Sequence, residues 1–116
     1  TRGAYESISD WMPSSSKIRS ARSISCKFVT ADRILDWDIA DFEALGAADF
    51  ERLCGLGPEI VILGTGATLR FPAPALCQPL ARAGIGFEAM DTRAACRTYN
   101  ILTAEGRRVA AAILVA

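Results

Sequence analysis

Two segments hold the residue types that chemistry needs. The first is Leu63-Gly64-Thr65-Gly66-Ala67-Thr68, with Arg70 close behind. It leaves the end of a buried strand, which is where open α/β sheets bind ligands. Glycines let a backbone approach an anion closely. Yet neither the G-x-G-x-x-G fingerprint nor the P-loop pattern is present, and no helix opens at the last glycine. Three readings stand: a phosphate-cradling loop, a tight structural turn, or a binding loop for a protein or small ligand. The second segment is Met90-Asp91-Thr92-Arg93-Ala94-Ala95-Cys96-Arg97-Thr98-Tyr99-Asn100. Here Asp91, Arg97 and Tyr99 could bind a carboxylate or phosphate. Cys96, near Arg93 and Arg97, could serve as a nucleophile if its pKa were lowered. The plainer alternative is a capping aspartate, a small buried thiol and a core tyrosine. Both segments follow strand ends, so a doubly wound sheet could bring Gly64, Thr65, Gly66 and Arg70 up against Asp91, Arg97 and Tyr99.

Other chemistries find little support. The chain has no histidine, which removes Ser-His-Asp and Cys-His catalysis and His-ligated zinc. The four cysteines, Cys26, Cys54, Cys77 and Cys96, never stand at C-x-x-C spacing, so no metal site is assigned. They read as buried reduced thiols of a cytosolic protein. Asp36 and Asp38 read as solvated carboxylates. No residue is assigned as catalytic, and no cofactor or enzymatic activity is assigned. Trp11 and Trp37 are candidate anchors for a partner, Trp37 the better one, although core packing is the commoner fate.

Several elements must position these segments. Ser23–Val29 alternates polar and apolar residues, as a half-buried strand does. Residues 33–37 suit a second strand, paired through a turn at Thr30-Ala31-Asp32. Asp41–Leu56 is predicted mostly helical, with Phe50, Leu53 and Cys54 on one face; Gly55 and Gly57-Pro58 stop it. Glu59–Leu63 is a continuous apolar run, predicted as a central strand buried on both faces. A short helix follows Pro74 and ends at Ala83-Gly84, with Pro79 expected to kink or shorten it. Gly86–Met90 reads as a strand. Asp91 should cap the next helix through the Ala94 amide. Ala95, Tyr99 and Leu102 share its inner face, and Gly106 ends it. Residues 107–115 form the last strand. Strands alternating with helices imply an α/β sheet with parallel neighbours.

Composition bounds the rest. With 116 residues, 51% of them apolar, the chain suits a single globular domain. Basic and acidic residues number 13 each, which disfavours nucleic-acid binding. Charge is uneven, however: residues 31–59 hold two basic and eight acidic groups, while both flanks are net basic. That acidic middle is a candidate interaction surface, or else a set of solvated faces. The C-terminal apolar stretch from Val109 is too short to span a bilayer, and no signal-peptide core follows Thr1-Arg-Gly-Ala. Residues 1–25, rich in serine, are predicted as an arm or edge hairpin, partly flexible, and 26–116 as the folded domain. The chain is expected as a monomer or weak homodimer, the latter through an edge strand or Trp37.

One series of motifs is more specific. Glu59–Gly66, Arg70-Phe71-Pro72, Gly84–Thr92, Ala94–Leu102 and Glu105–Ala110 together resemble the Mth-domain family, a group of unknown function. The match covers residues 32–116. Eukaryotic relatives in that family include a mitochondrial complex I assembly factor and an adipogenesis-associated protein. The resemblance implies one α/β domain with a central mixed sheet, helices on one side and a smaller β layer on the other, in three layers. It implies no established enzymatic activity, a protein-binding or assembly role, a cytoplasmic setting as in bacterial members, and a mitochondrial one only by analogy. Pro13-Ser14-Ser15-Ser16 departs from the family, where a glycine-containing turn is expected, and so does Pro79.

Overall fold

The apolar run that reads as a central strand is one. In the computed structural model, which describes residues 26–115, β3 spans Ile60–Gly64. Its residues alternate between two cores: Ile62 faces one, Val61 and Leu63 the other. Four more strands complete a single mixed sheet: β1 Lys27–Val29, β2 Ile34–Asp36, β4 Gly86–Met90 and β5 Val109–Ile113. Their spatial order is β2-β1-β5-β3-β4. β3 pairs in parallel with β4 and β5, placing Val61 opposite Phe87 and Ala110. β1 pairs antiparallel with β5 and with β2, Phe28 facing Ala112 and Leu35. The hairpin turn at Thr30-Ala31-Asp32 forms as expected, with the Thr30 amide donating to the Arg33 carbonyl at 2.9 Å.

Among the described residues, three α-helices join the strands: α1 Ala47–Gly55, α2 Gln78–Arg82 and α3 Thr92–Ala104. The single domain with a mixed sheet agrees with expectation, but the layering does not. α3 packs on one face through Ala95, Cys96 and Tyr99. α1 and α2 pack on the other through Phe50, Leu53 and Leu80. The helices are therefore not confined to one side, and all five described strands lie in one sheet rather than in two β layers. Chain geometry explains this. The β3-α2-β4 crossover steps outward, and β4-α3-β5 steps back across β3. Two crossovers of the same right-handed sense, running in opposite directions, put their helices on opposite faces.

Local chemistry sets the helix bounds. Asp41 caps a short 3-10 turn, Phe42–Ala44, accepting from the Ala44 amide at 3.1 Å. The predicted helix is thus split, because Leu45 and Gly46 are extended before α1 begins. Asp49 closes the α1 start by accepting from the Gly46 amide at 3.0 Å, and its other oxygen accepts from Trp37 Nε1 at 3.0 Å. Pro79 neither kinks nor breaks a longer helix. It lies in the first turn of α2, after a 3-10 turn at Pro74–Cys77, where no amide donor is needed. Asp91 caps α3 as expected, accepting from the Ala94 amide at 2.9 Å.

Trp37 is a core residue, 3% exposed and stacked on Phe28 at 4.6 Å between ring centroids. It offers no dimer surface. Among the thiols only Cys96 is fully buried; Cys26, Cys54 and Cys77 are half-buried, and all four are free. Trp11, the serine-rich arm and the first part of the predicted Ser23–Val29 strand lie outside the described residues.

Candidate functional site

The two segments singled out in the sequence do meet, at the C-terminal end of the parallel strands. They meet as a sewn joint. Thr65, 5% exposed, donates its amide to the Met90 carbonyl at 2.8 Å. Its hydroxyl donates to the Thr68 carbonyl at 2.7 Å and accepts from the Arg70 amide at 3.1 Å. The Gly66 amide, a natural anion donor, instead donates to Thr92 Oγ1 at 2.8 Å. That hydroxyl donates to the Leu114 carbonyl at 2.6 Å, while the Thr92 amide donates to the Gly66 carbonyl at 2.9 Å. Leu114 closes the ring through its amide on the Gly64 carbonyl at 2.9 Å. Gly64 is needed for closeness: a Cβ there would meet Ala95 Cβ and Thr92 Oγ1 at 3.1 Å and Ile113 Cδ1 at 3.2 Å. Gly66 holds φ +98°, a left-handed conformation that favours glycine.

The remaining candidates disperse. Arg70 leaves the joint and pairs with Glu43 at 2.5 Å, its guanidinium 5.3 Å from the Phe42 ring centre. Phe42 belongs to the α1 face, whereas Asp91 opens the helix on the other. Arg97 is exposed on α3. Tyr99, 1% exposed, lies within the α3-side core. Burial and the nearby Asp32 carboxylate push its phenol up to about 12. Burial also pushes the Cys96 thiol up to about 11, against the opposing pull of Arg97. A thiol held neutral in a core is a poor nucleophile at neutral pH.

Thr65 and Arg70 do line a cavity of about 460 Å³, on the side of the 3-10 turn. Asp41 and Glu43 line it too, so two carboxylates face one guanidinium and the cavity repels anions. The acidic middle segment is similarly occupied with structure. Asp36 pairs with Lys27 at 2.6 Å, Glu59 with Arg107 at 2.9 Å, and Asp41 and Asp49 act as caps. Hydrogen bonding to Arg107 and to the Arg108 amide holds the Glu59 carboxyl below its usual range.

Sequence reasoning missed the loop that follows the joint. Leu69 is 50% exposed and Phe71 is 73% exposed. On either side of Arg70, both project from backbone that Thr65 pins and that the Arg70–Glu43 pair tethers. Thr92 was also passed over as the residue that joins both segments. Its signal is the hydroxyl placed directly after a helix-capping aspartate at a strand end.

A single mixed α/β sheet with helices on both faces, closed at its carboxyl end, defines the class. The chain belongs to the family of proteins of unknown function DUF498/DUF598, whose sequence profile matches residues 8–114. Among solved structures it is similar to a Bordetella parapertussis protein, with a TM-score of 0.75 at 37% identity over 79% of this chain and 80% of that one. It also resembles a Bordetella pertussis protein described as a Mth938-like domain, with a TM-score of 0.71 at 30% identity over 78% and 73% of the two chains. The NADH dehydrogenase (ubiquinone) 1 alpha subcomplex assembly factor 3 of Bos taurus is 31% identical over 83 residues, 70% of this chain and 45% of that relative. The "13 kDa major membrane protein" of Francisella tularensis is 28% identical over 88 residues, 74% and 72% of the two chains. The chain thus spans a little under half of the length of the Bos taurus relative. Among the described residues, no helix is long and apolar enough to cross a membrane.

Proposed function

We propose that this domain is a non-enzymatic protein-interaction module of assembly-factor type, and that Leu69 and Phe71 form its docking point. The observation that carries this is Phe71, 73% exposed on a tethered loop. A flexible loop could fold an apolar ring back on the surface. Here two hydrogen bonds of the Thr65 hydroxyl and an ion pair hold the loop while both apolar side chains stay in water. Aromatic side chains held ready in this way are typical binding anchors, and prior ordering lowers the entropy lost on association. Similarity to assembly factor 3 of complex I supports a protein partner. The high pKa of Cys96 weighs against thiol catalysis, and the internal hydrogen bonding of the Gly66 amide weighs against a phosphate cradle.

The test is affinity capture at low salt with the unaltered chain and with the double variant Leu69→Ser, Phe71→Ser. A stoichiometric partner recovered by the first and lost from the second is the expected result. Equal recovery by both, or no partner with either, overturns the proposal.

A further inference from the structure

The opposite end of the sheet differs in charge from the carboxyl end, where two carboxylates face Arg70. A cavity of about 500 Å³ lies there, beneath the amino ends of β3 and β5. That volume falls in the range of small-ligand sites. Arg33 enters it from the β1–β2 turn, and Arg107 and Arg108 from the α3–β5 turn. Among the described residues that line it, Asp32 is the sole acidic one. Glu59 lies alongside and divides one carboxylate between Arg107 Nε at 2.9 Å and Arg108 at 3.7 Å. Arg33 has no ion-pair partner among the described residues. Three guanidiniums against two carboxylates leave the site net positive.

We propose that this cavity binds a small phosphate-bearing ligand through Arg33 and Arg107. Several features converge on that chemistry. Like charges drawn from two separate turns repel one another unless an anion joins them. Guanidinium forks match phosphate oxygens in pairs. Arg107 engages Glu59 through Nε, so its terminal nitrogens stay open to a second anion. Gly57 and Gly106, at φ +73° and +85°, form walls without side chains. Ligand size is bounded by the cavity, and zero net charge disfavours nucleic acid.

The proposal is independent of the docking loop. Its test is an amide-resolved NMR titration of the full chain with pyrophosphate, and separately with inorganic phosphate, at constant ionic strength set with chloride. Saturable shifts are expected at residues 31–34 and 106–109, with half-saturation below about 1 mM. Arg33→Gln should weaken binding by about tenfold, the worth of one charged hydrogen bond, without altering the spectrum elsewhere. Arg93→Gln, an exposed cation at the far end of α3, should bind as the unaltered chain does. No saturable shift, shifts spread evenly over the surface, or equal weakening by both variants would overturn the proposal.

Discussion

Thr92→Val tests the joint at the carboxyl end of the sheet. Valine keeps the shape of threonine and removes the hydroxyl alone. Two buried backbone groups then lose their partner, the Gly66 amide and the Leu114 carbonyl. Each such loss costs about 1–3 kcal/mol, the carbonyl at the lower end. The sum is about 3 kcal/mol, against a total stability of roughly 5–15 kcal/mol for a domain. At this chain length it corresponds to a fall in Tm of about 10–20 °C. Thr92→Ser retains both hydrogen bonds and loses one methyl group, so about 1 kcal/mol is expected. Thermal unfolding followed by circular dichroism measures both. A fall below about 3 °C for Thr92→Val, or an equal fall for the serine variant, would refute the hydrogen-bond reasoning.

Gly64→Ala should also destabilise, by about 1–3 kcal/mol, because its Cβ would meet α3 and Ile113 at 3.1–3.2 Å; denaturant unfolding at unchanged slope would report it. Alkaline pH should weaken the fold. Cys96 ionises near 9.0 when unfolded, but burial raises this to about 11 when folded. Tyr99 moves in the same direction, from 10.0 to about 12. Between these values the unfolded chain holds fewer protons, so stability falls as pH rises. A Tm profile from pH 8 to 11 should therefore decline, and Cys96→Ala should flatten its lower part.

Much of the fold was legible because β3 and α3 obey simple periodicities. Ile60–Leu63 has no polar interruption, and Ala95, Tyr99 and Leu102 recur at helical spacing. The Asp91 cap was legible for the same local reason. The sidedness of the helices was not, since it follows from strand order, and strand order is a non-local property. The joint was half-legible: strand ends marked where the segments meet, but the Thr92 hydroxyl decides that Gly66 is occupied. Arg70 stood close to the glycines in sequence, yet Glu43 draws it to the other face. Leu69 and Phe71 look like core residues in a one-dimensional reading, and their exposure emerges only with the loop geometry. Arg33 and Arg107 share a cavity through tertiary structure alone.

The central claim is that the exposed loop touches a protein partner. It is tested most directly by replacing Phe71 with a photoreactive benzoylphenylalanine and irradiating cells that express the full chain. One dominant protein adduct from position 71 is expected, absent when the same residue replaces Arg93. No adduct, or the same adducts from both positions, would contradict the account.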